Sequence, residues 1–343
     1  MISSRLYGSL PSGEEIHEYT LTSTGGLQIK VLTYGGIISH IFAPDHNGTL
    51  ADVALGFHRL EDYLGNDPYF GAIIGRVAGR ITHGQFTLDG VAYQLPTNNK
   101  LNHLHGGVRG FDQQVWTAHP EGDDALRLAY TSAAGEEGYP GTIEVAVTYR
   151  LSPNNELTID YQATTDRATP ISLTNHTYFN LGGEGSGTVA DHYLQIASST
   201  IIAVDDEFTH QGRTGSVVGK NNDFNKIRRL GDALPGLFLQ HGDHYILAGD
   251  GKGTPVPVAR VEERKSGRFL EVLSNAPALQ FYTGGMLDGS KIGKSGQIYE
   301  QHHGLCLECQ SNPNGVDHPE LGDTILRPGE SYQQTTVYRF GIF

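Results

Sequence analysis

Residues 143–165 read IEVAVTYRLSPNNELTIDYQATT, and this stretch decides the fold class. Ile143, Val145, Val147, Tyr149 and Leu151 alternate with Glu144, Ala146, Thr148 and Arg150. After the turn residues SPNNE, Leu157, Ile159, Tyr161 and Ala163 alternate with Thr158, Asp160 and Gln162. A period of two places every second side chain on the same face, so the stretch predicts a hairpin buried on one side. The same pattern recurs in both directions along the chain. GQFTLDGVAYQL (84–95) carries an Asp-Gly turn signal between two short alternating runs. GGLQIKVLTYGGIISHIF (25–42) reads as two strands around Gly35-Gly36, and the tail SYQQTTVYRFGIF (331–343) as one more. Helical pattern is scarce; RLEDYLGN (59–66) predicts at most a short helical turn. No repeat or low-complexity segment divides the chain. The expectation is one all-β domain over 1–343, a large antiparallel β-sandwich of two sheets packed face to face, whose concave face offers a ligand groove.

Composition narrows the function. The chain has 343 residues and a net charge of −14, from 24 Lys and Arg against 38 Asp and Glu. An acidic surface repels phosphate backbones, so no nucleic acid partner is expected. VEERKSGR (261–268) mixes both signs and reads as a solvated face. No apolar run approaches the roughly 18 residues of a membrane helix. The N-terminal stretch lacks an apolar signal core, so no membrane partner and a cytoplasmic location are expected. The two cysteines, Cys306 and Cys309 in GLCLECQ, fit a reducing compartment. They read as ordinary buried or half-buried thiols.

Several chemistry-bearing motifs fail on inspection. DGSKIGKS (288–295) nearly matches a phosphate loop, but Asp288 stands where the first glycine must be and would repel the phosphates. GGEGSG (182–187) has the wrong spacing for a dinucleotide loop, and no GxSxG elbow occurs. Sixteen histidines are many. In HLHGG, His103 and His105 share one side if extended, a spacing that suits a metal, although one of the two facing solvent or packing in a turn is the commoner outcome. Asp243 in QHGDHYIL reads locally as a turn residue after Gly242. Glu308 in a GLCLECQ strand shares a face with Cys306 and Gln310, opposite Leu305, Leu307 and Cys309. It is either a solvent-facing residue on a half-exposed strand or a groove carboxylate with a raised pKa. In SLTNHTYFNL (172–181), His176 sits among polar and aromatic residues that fail to alternate. Such a failure is expected where a strand leaves the core to wall a site.

Taken in order, GRVAGRI (75–81), LHGGVRGFD (104–112), GEEGYPG (135–141), TNHTYFNL (174–181), GDHYIL (242–247), LQFYTG (279–284), LECQ (307–310) and LRPGESY (326–332) resemble the galactose mutarotase (aldose 1-epimerase) family over nearly the whole chain. The resemblance implies a sugar groove on a β-sandwich and cofactor-free interconversion of the α and β anomers of aldohexoses. It implies His176 as general acid, Glu308 as general base and His105 as a second histidine assisting at the sugar. Arg80, Asp243, Gln280 and Tyr178 match substrate-binding positions. Gly79 stands where many relatives carry Asn, so one amide contact to the sugar is absent or supplied elsewhere. Cys309 replaces the Pro or Thr often seen after the glutamate.

The chemistry fits these residue types. A pyranose inverts C1 by opening its ring, rotating about C1–C2 and closing on the other carbonyl face. Opening removes the O1 proton and delivers one to O5, so a carboxylate and an imidazolium must flank C1; each contributes roughly 10²–10⁴-fold. No metal or nicotinamide is demanded. Arg80 and Asp243 are expected to hold hydroxyls, and Tyr178 or Phe281 to offer an apolar face. Trp116 is assigned to the core and Arg76 to a structural role. The alternatives are a glycosidase using Asp243 and Glu308, a phosphosugar 1-epimerase, and a non-catalytic sugar-binding module. The expected partner is a small-molecule aldohexose, the expected state a monomer or weak homodimer.

Overall fold

The structure is a computed structural model that describes residues 1–65, 68–249 and 251–343. The opening hairpin is present as Ile143–Leu151 paired with Glu156–Thr165. Its register sets Val145 opposite Ala163, Val147 opposite Tyr161 and Tyr149 opposite Ile159, so apolar faces apolar along most of the core side, Ile143 opposite Thr165 being the exception. This hairpin lies inside a nine-stranded antiparallel sheet. The C-terminal strand Tyr332–Ile342 pairs with Glu156–Thr165 on one side and with Arg268–Ser274 on the other. A six-stranded sheet runs in the order 178–179, 305–310, 278–282, 243–246, 200–204 and 210–216. The Asp-Gly hairpin forms as expected, with Asp89 and Gly90 both at positive φ, the conformation a two-residue turn demands.

One point differs from expectation. A third large sheet, five-stranded, is built by the strands Ile2–Ser9, Glu15–Thr22, Gln28–Leu32, Ile38–Pro44 and Leu50–Asp52. Alternation shows that a strand has an apolar face, but not which strands it joins, so the division into three large sheets was not legible. Within 59–66, Leu60–Tyr63 forms the short helical turn expected there, and Asn66 lies outside the described residues. No helix among the described residues is long and apolar enough to cross a membrane.

One apolar core is shared by the three sheets. Ile29, Val31 and Ile41 come from the five-stranded sheet, Val147, Ile159 and Val272 from the nine-stranded, and Leu279, Phe281 and Leu307 from the six-stranded. Trp116 belongs to this core, its indole N–H donating to the Phe111 carbonyl at 3.1 Å. Arg76 is buried and structural: its guanidinium donates to Ser132 and to the carbonyls of Ala133, Pro140 and Gly141. Phe281, offered above as a sugar platform, is instead in the core, because it is the neighbour of Gln280 on a strand and so takes the opposite face.

The strand Leu305–Gln310 is buried at every position. Leu305, Leu307 and Cys309 enter the core, which leaves Cys306, Glu308 and Gln310 on the other face. Leu307→Ala is expected to cost about 2–5 kcal/mol, by loss of buried methyl groups and the cavity left behind. Equilibrium denaturation in urea reads it; a cost within error of zero would mean that this strand does not anchor the sheet.

Candidate active site

A cleft of about 480 Å³ lies on the face of the six-stranded sheet turned away from the core. His176 and Glu308 sit together in it, Nε2 to Oε2 3.8 Å apart, each at most 5 % exposed. Two pairings bring them there. Thr174–Asn175 pairs with Ile73–Ile74, then the chain changes partner, and Tyr178–Phe179 pairs with Leu305–Cys306. His176 occupies the crossing between the two ladders. Its carbonyl accepts from the Gly71 N–H at 3.0 Å and its N–H donates to Ala72 at 2.9 Å, so the backbone is held where the side chain leaves the core. The non-alternating SLTNHTYFNL stretch is this change of partner.

Burial dominates the electrostatics. It pushes the Glu308 carboxyl up to about 8 and the His176 imidazole down to about 4. Glu308 Oε2 has no hydrogen-bond partner among the described residues. The two groups titrate as a pair that holds one proton between those limits. In the empty cleft the neutral tautomer, carboxylic acid with imidazole, is therefore preferred over the expected carboxylate and imidazolium. The proton count is the same in both, and hydroxyl donors brought by a sugar favour the charged one.

The other residues singled out from sequence divide. His105 lines the cleft, its ring 5.4 Å from that of His176. It is not extended: its φ is +52°, and its Nδ1 accepts from the Gly79 N–H at 3.3 Å, which leaves the proton on Nε2. The sharp turn needs Gly106, where a Cβ would stand 1.7 Å from the Gly75 carbonyl oxygen. His103 does not join His105. It is buried between the Pro96 carbonyl, 2.7 Å away, and the Tyr139 hydroxyl, 2.8 Å away, so the HxH spacing does not make a metal site. The extended-strand premise behind it fails at residue 105.

Arg80 lines the cleft and, among the described residues, hydrogen-bonds through its Nε alone, donating to Asn99 at 3.0 Å. Gln280 lines it too, but its amide is engaged, donating to the His241 carbonyl at 2.6 Å and accepting from His244 Nδ1 at 3.0 Å. Gln280 lies directly between His244 and Glu308 on the three central strands, and so positions the wall of the cleft. Tyr178 lies against His176, rings nearly parallel with centroids 5.1 Å apart. Gly79 has φ +83°, and a Cβ there would come within 2.5 Å of Pro313 Cγ, so the place of the missing Asn side chain is taken by Pro313.

Asp243 is corrected. Its cross-strand partner is Phe281, which puts it on the core side, and Asn222 Nδ2 donates to its carboxylate at 2.9 Å. His244, one residue on, takes the face that Asp243 was expected to have. Residues that sequence reasoning missed include Tyr69, Lys100, Phe208 and His241, all lining the cleft. Tyr69 packs on both His105 and His176, and Arg80 and Lys100 both approach the Phe208 ring. Tyr69, Lys100 and Phe208 have positive φ, which no local sequence signal announced.

A mainly antiparallel β structure with a buried histidine–carboxylate pair in a cleft defines the class of an acid–base site on a β scaffold. Comparison gives the family. The family model described as aldose 1-epimerase matches residues 17–339. The galactose mutarotases of Rattus norvegicus and Homo sapiens are each 41% identical over 341 residues, covering 99% of this chain and 99% of theirs. The aldose 1-epimerase of Escherichia coli is 34% identical over 339 residues, 96% of each chain. Among solved structures, the galactose 1-epimerase of Lactobacillus acidophilus superposes with a TM-score of 0.85 at 30% identity, covering 100% of this chain and 99% of its own. An aldose epimerase homologue from C. elegans gives 0.87 at 29% identity, covering 94% and 98%. The chain belongs to the aldose 1-epimerase family.

The buried carboxyl has a measurable signature. With its folded pKa raised, the folded state holds a proton that the unfolded state has lost, so stability falls as pH rises toward about 8. The depressed His176 contributes the opposite sign, stability lost as pH falls from 6.5 to about 4. Between pH 6.5 and 8 the His176 effect is absent, and the buried Asp112 carboxyl, raised to about 7, acts alike in wild type and variant and cancels in their comparison. There, wild type is expected to lose about 1–2 kcal/mol relative to Glu308→Gln. Urea titrations of both proteins across that window check it; parallel curves would show that the carboxyl is not protonated by burial.

Proposed function

We propose that this chain is a cofactor-independent isomerase that interconverts the α and β anomers of aldohexoses such as D-galactose and D-glucose. The observation that carries the reading is the His176–Glu308 pair, 3.8 Å apart and buried at the floor of a sugar-sized cleft. Its family membership supports the same chemistry. Glu308 takes the O1 proton, and His176 delivers a proton to O5. The C1–O5 bond breaks, C1=O1 forms, and the aldehyde rotates about C1–C2. Closing on the other face returns both protons. Opening and closing exchange the two one-proton tautomers of the pair, so the site is regenerated without an outside proton.

The remaining residues orient the sugar. The Arg80 Nη atoms have no bond to protein among the described residues and are available to hydroxyls. His105, with its proton on Nε2, is a donor beside His176. Tyr178 and Tyr69 present aromatic surface to the sugar's C–H groups. At Gly79 the ring of Pro313 fills the place where many relatives carry an amide, so the sugar receives no amide contact from that position. The glycosidase alternative is disfavoured, because its second carboxylate, Asp243, faces the core. The whole chain acting as one domain, a monomeric or weakly dimeric state and a cytoplasmic location complete the proposal; the core common to the three sheets supports the first of these.

Polarimetry of freshly dissolved α-D-galactose and α-D-glucose tests the reading. Rotation is expected to decay faster with the protein present, and the acceleration to be nearly abolished in Glu308→Gln and in His176→Asn. Full activity in Glu308→Gln would remove the base assignment. Because the pair must hold a single proton, kcat/KM is expected to be bell-shaped in pH, with limbs near about 4 and about 8. EDTA is expected to leave the rate unchanged. Release of phenol from an aryl glycoside would replace the mutarotase reading with hydrolysis.

A further inference from the structure

We infer that Cys306 is a positioning residue for the acid–base pair, its sulfur accepting from the rear nitrogen of His176 in both the charged and the neutral ring of the cycle, with the S–H free to turn and donate if the neutral ring carries its proton on Nε2. The inference rests on the acid–base reading above. Cys306 Sγ lies 3.6 Å from His176 Nδ1, and Glu308 Oε2 lies 3.8 Å from Nε2. The imidazole is thus flanked at both ends by two side chains of one strand, two residues apart on one face. The register fixes the arrangement, since Cys306 is directly opposite Tyr178, two residues after His176.

His176, Cys306 and Glu308 lie close enough together for a metal ion, with ligand atoms within 4.8 Å. The contacts argue otherwise. The thiol and the carboxylate address different nitrogens of the same ring, and one ion cannot lie in line with both lone pairs. A line of proton donors and acceptors is what the geometry supplies.

The chemistry explains why a thiol is useful here. As the acid, His176 is protonated on both nitrogens, and Nδ1–H donates to sulfur, a weak acceptor. Having given its Nε2 proton to O5, it is the neutral Nδ1–H tautomer and keeps that bond. In the other neutral tautomer, with the proton on Nε2, the thiol turns its S–H to donate to Nδ1. Burial keeps the thiol protonated, its pKa raised well above the ordinary value. A carboxylate in this place would trap the imidazolium; the thiol orients the ring without stabilising its charge strongly. The other groups against the ring are Tyr178, Tyr69 and His105. Burial pushes the His105 imidazole well below its ordinary pKa and so holds it neutral.

Cys306→Ser and Cys306→Ala, compared with wild type, test this by two readouts. A hydroxyl oxygen accepts from Nδ1–H more strongly than sulfur, so Cys306→Ser is expected to raise the acid limb of the kcat/KM profile by about one pH unit. Cys306→Ala is expected to lower kcat about tenfold with KM little changed, because only the ring's orientation is lost. Independently of activity, ¹⁵N NMR of the His176 ring is expected to show a raised pKa in the serine variant and a changed tautomer balance in the alanine variant. Identical His176 ring signals and titration in all three folded proteins would overturn the role of Cys306. A wild-type protein that accelerates no anomerisation would instead sink the epimerase reading, and the NMR comparison would still decide the contact.

Discussion

The strand Leu305–Gln310 is hydrogen-bonded on both edges and buried on both faces, and the catalytic arrangement depends on that double burial. Its odd-numbered side chains are fixed in the apolar core, so its even-numbered ones have fixed positions over the cleft. Glu308 cannot retreat toward water without drawing Leu307 and Cys309 out of the core. It therefore stays where water does not solvate it, beside a histidine that is equally dry. The elevated carboxyl pKa and the depressed imidazole pKa follow from this placement alone, with burial the leading cause of each.

A protein this acidic would not be expected to concentrate positive charge, yet Arg80, Lys100 and Lys291 all line the same cleft. Arg80 and Lys100 approach one aromatic ring, Phe208, in the loop between two strands of the six-stranded sheet. The walls are rigid for a physical reason. Gln280 is bonded at both ends of its amide, His176 is held through its own backbone, and His105 is tied to Gly79 by two hydrogen bonds. Groups fixed in advance need not reorganise when charge moves between O1 and O5, and this is the main way a protein lowers such a barrier.

Much of the site was legible from residue order, and the failures have specific causes. Alternation in GLCLECQ correctly put Cys306, Glu308 and Gln310 on one face, but suggested that face was half-exposed. Burial by distant chain, including the loops carrying Arg80 and Tyr69, is invisible to a local pattern. Alternation in HLHGG was misleading because His105 adopts a left-handed conformation, and the period of two ends there. For Asp243, motif matching chose the carboxylate, while the ladder turned its neighbour His244 to the polar face. Phe281 fell on the core side for the same reason, one strand over. A shift of one residue in a strand exchanges its faces, so motif identity without register is a weak guide to direction.

The amino-acid sequence by itself determined the all-β class, the opening hairpin and the Asp-Gly turn, and it singled out His176 and Glu308 as the proposed acid–base pair. These follow from side-chain period, turn chemistry and an ordered set of short motifs, each contained within a few consecutive residues. Tertiary structure alone decided that His176, Cys306 and Glu308 meet, that His103 does not join them, and that Asp243 is on the far side of its sheet. The meeting rests on a pairing between segments more than a hundred residues apart, Tyr178 with Cys306, and the placing of Asp243 on its pairing with Phe281 in the neighbouring strand. Register across such distances is set by how whole faces pack into one core, a collective balance that no local stretch of sequence encodes.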